Sequence, residues 1–403
     1  MESIELSEYR TRYGVALGLE QRDCLRRIAP SVTVTPSQGA EGLYDLTPGS
    51  WVGAVKLPDL DLVIRPKLPI DRVLFVLSYA MGVTTWRQES FALAEAKTLV
   101  DAIVPGFVHQ LRTALRRGVM QGYRSTDDAL LTIRGRIRVG DQLTRRFGIA
   151  PPIEVAFDEF TEDIPLNRIL RAATNRLVRL RNPEYRQVLR SLETAFAGVA
   201  LVDFDSRCVP KIAYTRLNER FRSVGELARL ILMSTSFDLG TGTVGASSFL
   251  VDMNRAFEDF VVGALRDALK LSPGVLVQEA SGRPLYLDEA RRIPLKPDIS
   301  VWDRSRCVFV GDVKYKRIQF EGYLNADIYQ MTAYAIATGL PGGILIYAAG
   351  EGEPFSHRIV NIGKEIEVFT LDLQGMPADV LAQIELLATR VRVWSDRALV
   401  AAA

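Results

Sequence analysis

The chain has only three cysteines in 403 residues, Cys24, Cys208 and Cys307, far apart and odd in number. That excludes a disulfide scaffold and a thiolate zinc cluster, and it points to a reducing compartment. A run of about 18 apolar residues, the length that spans a bilayer, is also missing. Met1–Arg10 reads MESIELSEYR, with acids where a signal peptide needs a basic start and an apolar core. A soluble, cytoplasmic protein with no membrane partner is expected. Net charge is nearly absent, +2 from 50 basic and 48 acidic residues, so the chain carries no wholesale basic coat. There is no internal repeat, and Ala401–Ala403 is the one low-complexity tract. What is present is a hydrophobic content of 48%, enough for a sizeable core spread over two or three domains.

Lysine is scarce as well: nine of the 50 basic residues, the rest being arginine. A GC-rich genome explains the excess at large, so placement is more informative. Between Gln110 and Phe147 nine arginines face three acids, and from Pro165 to Arg190 seven face one. Such stretches make either a phosphate-contacting surface, because the guanidinium fork matches phosphate oxygens, or a solvated helical face.

Short alternating runs at Tyr13–Leu19, Ser31–Pro36, Trp51–Leu57 and Leu60–Pro66, split by Gly, Pro and Asp, predict strands, and Val73–Met81 predicts a helix. Three- and four-residue apolar spacing predicts amphipathic helices from Gln88 to Arg117 and from Asn167 to Phe196, with a two-faced strand at Leu131–Val139 between them. The Gly/Ser/Thr-rich stretch Ser234 to Ser248 is the best boundary. Beyond it come a buried helix over Asn254–Lys270, strands at Val275–Glu279, Ile299–Trp302, Cys307–Val313 and Gly343–Tyr347, and a helix from Asn325 to Thr338. The expected architecture is multidomain α/β. It comprises a β-rich N-terminal domain (1–87), a helical Arg-rich middle region (88–235) and a C-terminal mixed sheet flanked by helices (236–403).

The chemistry-bearing stretch is Lys296–Lys316, KPDISVWDRSRCVFVGDVKYK. Asp298 opens one strand, Asp303–Arg306 is a polar turn, and the returning apolar strand ends in Gly311-Asp312-Val313-Lys314. A hairpin brings Asp298 beside Asp312 within about one residue of register. On one face, the two carboxylates lie about 5–7 Å apart, near enough to share a cation. Lys314, two positions beyond Asp312, shares that face because strand side chains alternate. Two hard oxygen ligands and an ammonium suit Mg²⁺, with Mn²⁺ as an alternative, for hydrolysis of a phosphodiester. An Asp-x-Lys alone is weak, since about one chance match is expected in a chain of this size. The bland reading is an ion pair at a strand end. Glu258, inside the apolar helix beside Phe257 and Phe260, needs a partner or a metal unless it lies on an exposed edge. Gln330 and Tyr334 lie four apart on one helical face, placed to touch the DNA backbone or to brace the site, the bland reading being a core tyrosine with a satisfied hydroxyl.

Pro297-Asp298, Gly311-Asp312-Val313-Lys314-Tyr315-Lys316 and Gln330-x-x-x-Tyr334 resemble the PD-(D/E)xK nuclease superfamily, including the trailing Gln and Tyr of its RecB-like branch. Val52-Gly53 with Ile64-Arg65-Pro66-Lys67, Phe157–Asp163 leading into Leu166-Asn167-Arg168, and Asp252-Met253-Asn254 before Phe257-Glu258 resemble the McrC family. Its members are the nuclease subunits of McrBC-type modification-dependent restriction systems. The resemblance implies a restriction-endonuclease-like C-terminal fold and cleavage of 5-methylcytosine-bearing double-stranded DNA in antiviral defence. Asp298 and Asp312 would be the metal ligands, Lys314 and Glu258 would take part in catalysis, and Gln330 and Tyr334 would play supporting roles. It also implies a partner, a McrB-like AAA+ ring that hydrolyses GTP, and N-terminal and Arg-rich parts that contact ring and DNA. The chain has no G-x-x-x-x-G-K-[ST] loop, and its lone Gly363-Lys364 pair lacks the upstream glycine, so the nucleotide is expected on the partner. The competing expectations are an adaptor that activates an AAA+ ring without cutting and a stand-alone repair nuclease.

Overall fold

The computed structural model describes residues 2–27, 31–38, 41–57, 59–80, 98–148, 151–179, 183–205, 208–234, 248–269, 275–278, 284–316, 325–348 and 355–400. The boundaries expected at 87/88 and 235/236, the interior of the Ser234–Ser248 stretch, residues 88–97 of the expected helix and Glu279 lie outside them. By packing, residues 1–99 and 250–403 form one compact unit and residues 100–249 another. Each is a mixture of helices and sheets.

In the first unit, the apolar alternation of Leu60–Arg65 buries Leu60, Leu62 and Ile64. That strand pairs antiparallel with Trp51–Leu57 and parallel with Glu2–Ser7. Glu2–Ser7, which the sequence patterning did not predict, is thus an integral edge strand of a four-stranded sheet completed by Ser248–Asp252. Arg12–Ala16, Val32–Pro36 and Leu43–Pro48 make a separate three-stranded antiparallel sheet.

The same unit holds a six-stranded mixed sheet in the spatial order Val275–Gln278, Ile299–Asp303, Arg306–Lys314, Gly342–Ala348, Glu365–Leu371, Phe355–Arg358. Arg306–Lys314, Gly342–Ala348 and Glu365–Leu371 run parallel to one another, and the remaining pairings are antiparallel. A parallel step needs a crossover, and helix Asn325–Ala337 supplies it between the first two. Gly343 lets that helix come close: a Cβ there would collide with the Met331 side chain and the Val310 carbonyl.

Helix Met253–Leu269 buries Phe257, Phe260, Val261, Ala264 and Leu265. Its Phe260 meets Phe75 and Tyr79 of helix Ile70–Ala80 edge-on at 5.6 and 5.5 Å, the geometry favoured by ring quadrupoles. Helix Pro377–Val400 is tied to the sheet by one buried acid. Glu367, 1% exposed, accepts both guanidinium arms of Arg390 at 2.7 and 2.8 Å and the Trp394 indole at 2.7 Å. Among the described residues no helix is long and apolar enough to cross a membrane.

The second unit holds more strand than the helices and single Leu131–Val139 strand that the periodicity predicted. Gly122–Leu130 and Ile153–Thr161 pair antiparallel along their whole length, and the two-residue strand Arg136–Ile137 joins the other edge of Ile153–Thr161. The Leu131–Val139 alternation therefore marks a loop and a short strand rather than a long one. Both long strands carry many polar side chains and bury little, so their apolar signal is weak and cross-strand pairing decides them. Helices Pro165–Arg179, Pro183–Thr194 and Arg222–Met233 pack together in this unit.

Many of its arginines are taken up by the unit's own structure. Asp163 holds Arg124 and, at 2.7 Å through both arms, Arg168, which keeps its carboxyl well below the usual range. Arg138 meets Asp141 at 2.6 Å, Arg146 meets Glu154 at 3.3 Å, and Arg176 donates to the Leu232 carbonyl at 2.8 Å. Asn167, fully buried, donates to the Met120 and Glu162 carbonyls at 2.6 and 2.7 Å. Asn167 thus links the Met120 and Glu162 backbones, and Asp163, which also accepts the Ala200 N–H at 3.0 Å, gathers Arg124 and Arg168. Arg112, Arg116 and Arg117 are exposed.

Candidate active site

Ile299–Asp303 and Arg306–Lys314 form the expected hairpin, joined by a two-residue turn in which Arg304 adopts a left-handed φ of 53°. From the turn the register runs Asp303 to Arg306 and Trp302 to Cys307, then shifts so that Val301 meets Phe309 and Ile299 meets Gly311. Val308 is left as a bulge, and the Cys307 thiol spans it to the Phe309 carbonyl at 3.4 Å. One step beyond Ile299, Asp298 stands opposite Asp312. Its Oδ2 accepts the Val313 N–H at 2.7 Å, which locks the carboxylate against strand Arg306–Lys314.

Asp312 is 1% exposed. The Lys314 Nζ approaches its Oδ2 to 2.5 Å as an ion pair, yet neither Asp312 oxygen is engaged in an aligned hydrogen bond. Burial pushes the Asp312 carboxyl up, and Asp298 pushes it further. Asp298 is raised too, by burial first and then by Glu258. The two acids titrate as a pair. Burial pulls the Lys314 ammonium down, but Asp312, then Asp298 and Asp327, outweigh it, and Lys314 stays a cation.

Glu258 is half-buried on helix Met253–Leu269 and close enough to Asp298 to act on its charge. Asp252 caps that helix, accepting the Asn254 N–H at 3.0 Å and the Ser50 hydroxyl at 2.8 Å. On helix Asn325–Ala337, Tyr334 donates to the Lys296 carbonyl at 3.0 Å and accepts from Gln330 Nε2 at 2.8 Å. The pair braces the backbone two residues before Asp298, and burial followed by Asp312 pushes the phenol upward.

Asp327, which no sequence motif singled out, belongs to the same neighbourhood. It is 7% exposed, accepts the Tyr347 hydroxyl at 2.6 Å and pairs with Lys316 at 2.6 Å. An acid in the first turn of a helix carries no signal beyond dipole complementarity, so nothing local could have marked it.

The donor set fits a hard divalent cation. Asp312 is a deeply buried carboxylate next to a second one, and Lys314, paired with its Oδ2 at 2.5 Å, offsets only one of the two charges, so the pair can take a further cation. Among the described residues no three His, Cys, Asp or Glu side chains converge as a closed metal cage. Mg²⁺ does not require one, since one or two carboxylates plus waters and a substrate phosphate suffice.

The chain matches the family described as McrBC 5-methylcytosine restriction system component over residues 46–348. No curated protein sequence matches it significantly. Among solved structures it is similar to a chain of an assembly of Thermococcus gammatolerans McrB AAA+ hexamers with bound McrC. That match has 18% identity and a TM-score of 0.58, covering 96% of this chain and 100% of that one. A chain of the Thermococcus gammatolerans McrBC complex matches at 22% identity and a TM-score of 0.42, covering 67% of this chain and 89% of that one. With three quarters of its length inside the family match, the chain belongs to the McrBC 5-methylcytosine restriction system components.

Proposed function

We propose that this chain is the Mg²⁺-dependent endonuclease subunit of a McrBC-like restriction system, with Mn²⁺ as a substitute metal, hydrolysing phosphodiesters in methylated double-stranded DNA. The observation that carries the reading is the convergence of Asp298, Asp312 and Lys314 on one face of a buried hairpin. Asp298 and Asp312 would hold the ion. When bound, Mg²⁺ supplies a nucleophilic water and neutralises charge growing on the phosphoryl group. Lys314, kept cationic by its acids, is placed to orient that water or to donate to the transition-state oxyanion. Glu258 adds negative charge beside Asp298, as an outer partner of the ion or a further ligand. Gln330 and Tyr334 fix the Lys296–Asp298 backbone, so the first ligand does not drift.

We further propose a GTP-hydrolysing AAA+ ring as partner, by analogy with the bound McrC of the similar assembly. We assign residues 1–87 and the Arg-rich region 88–235 to ring and DNA contact and residues 236–403 to cleavage. Exposed Leu131, Ile133, Val139, Leu143 and Phe147, all on the segment that joins the two long strands of the second unit, support contact through that unit, because exposed large apolar side chains are found at interaction surfaces. The test is Asp312→Ala in a reconstituted system. Cleavage of methylated DNA should vanish while stimulation of the partner's GTP turnover persists; undiminished cleavage would sink the assignment, and stimulation with no cleavage even by the natural chain would make it an adaptor.

A further inference from the structure

The turn that follows Lys314 is gripped by a segment 248 positions earlier in the chain. Lys316 N–H donates to the Lys314 carbonyl at 2.9 Å, so Tyr315 is the central residue of a tight turn at the end of the catalytic strand. Tyr315 is 2% exposed and is held on every side. The Lys67 ammonium lies 3.7 Å from its ring centroid and donates to its carbonyl at 3.5 Å. Its hydroxyl donates to Glu8 at 3.4 Å, and the Phe257 ring packs at 5.8 Å.

Glu8 and Lys67 form one clamp. The Lys67 N–H donates to the Glu8 carboxylate at 3.1 Å, and the Glu8 N–H donates to the Arg65 carbonyl at 3.0 Å. Both residues extend adjacent parallel strands, so their spacing is set by the sheet. The Tyr9 ring stands 5.2 Å from the same ammonium, and its hydroxyl reaches Asn254 at 3.4 Å, in the first turn of the helix that carries Glu258.

We propose that Glu8 and Lys67 are positioning residues of the nuclease centre, fixing Lys314 against Asp312 through their hold on Tyr315. A lysine has four rotatable bonds, so its ammonium is placed reproducibly only if the backbone beneath it is rigid. Lys314 is the last residue of its strand, where ladder hydrogen bonding ends, and the Tyr315 clamp takes over from the ladder. Because Phe257 packs on the same tyrosine, the clamp also fixes the spacing between the Lys314 strand and the helix bearing Glu258. A misplacement of about 1 Å at a catalytic group is enough to lower a rate by about 100-fold.

The inference rests on the nuclease reading, and one set of variants separates their failures. Cleavage of methylated duplex by the full chain with its AAA+ partner is measured for Lys67→Met, Lys67→Arg and Asp312→Ala, alongside melting temperatures and Mn²⁺ binding to the free chain. Lys67→Met should lower kcat by about 10-fold or more with KM for DNA and Mn²⁺ affinity nearly unchanged. Lys67→Arg should restore most of the rate, because a guanidinium also sits over an aromatic face. Natural activity in Lys67→Met, or a loss confined to KM and melting temperature that Arg does not rescue, overturns the positioning role. If Asp312→Ala is inactive while Lys67→Met cuts normally, only this inference falls. If Asp312→Ala cuts normally, the nuclease reading falls and takes the inference with it.

Discussion

Asp298 faces Asp312 across the hairpin because Val308 has no partner. Counted straight from the Asp303–Arg306 turn, Asp298 would oppose Gly311, and its carboxylate would project to the sheet face opposite to that of Asp312. The bulge moves the register by one residue and puts both acids on one face. Bulges re-aim side chains in this way next to functional sites. Deleting Val308 makes the two arms equal in length, so a regular ladder then sets Asp298 opposite Asp312 and Mg²⁺ binding by calorimetry should survive. Inserting one residue after Val308 leaves a mismatch of two, which one bulge does not absorb; we expect a loss of cleavage of about 100-fold or more, the scale set by misplaced catalytic groups, with Mg²⁺ binding lost as well. Retained metal affinity in the insertion variant would show that the register is not what aligns the pair.

Asp312 is an acid kept where an uncompensated charge is unfavourable. Its folded pKa is raised by burial and by Asp298, so the stability it contributes is present below its unfolded value and lost as pH rises through the folded one. Without metal, Asp312→Asn should therefore melt higher than the natural chain above neutral pH, by on the order of 1–3 kcal/mol, and show no advantage at pH 4. Saturating Mg²⁺ should narrow the gap, since the ion binds only the natural fold. Thermal melts across pH with and without Mg²⁺ check both signs. For the same reason the Mg²⁺ concentration that gives half-maximal cleavage should rise as pH falls.

Glu8 obeys the same rule away from Asp298 and Asp312. Burial, with a smaller push from Asp252, raises its carboxyl to about 7 against the hydrogen bonds from Lys67 and Tyr315. Its contribution to stability is complete below the ordinary value and disappears as pH passes upward through about 7. Glu8→Gln, which keeps an oxygen to accept both bonds, should thus stabilise the chain at pH 8 by on the order of 1–2 kcal/mol and leave it unchanged at pH 4. Denaturant titrations at the two pH values are the measurement.

Tyr334→Phe removes the donor to the Lys296 carbonyl while keeping the ring. The loss of one part-buried hydrogen bond should cost about 1 kcal/mol of stability and slow cleavage by roughly 10–100-fold. Gln330→Ala, which leaves the Tyr334–Lys296 bond in place, should do less. Equal effects of the two substitutions would mean that Gln330 acts on something other than Tyr334.

Glu367→Ala should destabilise by about 2–3 kcal/mol, the scale for losing hydrogen bonds to a charged group, because Trp394 and the half-exposed Arg390 lose their shared acceptor. Urea unfolding measures it. A loss below 1 kcal/mol would mean that helix Pro377–Val400 is held by its apolar face alone.

Much of the site was legible in the linear sequence. The apolar strand ending in Gly311-Asp312-Val313-Lys314, the polar turn and the Pro297-Asp298 start specify a hairpin through patterning alone, and side-chain alternation puts Lys314 on the Asp312 face wherever the strand lies. Helix Met253–Leu269 was legible from its apolar stripe, and with it the anomaly of Glu258. What the pattern left open was the register to within one residue, and only packing resolved it, through the bulge at Val308. Tertiary structure alone also brought Glu8 and Lys67 to Tyr315, placed Asp327 against Lys316 and Tyr347, and spent Arg124 and Arg168 on Asp163 instead of on a ligand. The reason is common to all of these. Local sequence encodes periodicity and turn chemistry, whereas a contact between residues hundreds of positions apart depends on which faces the whole chain buries, and no local spacing records that choice.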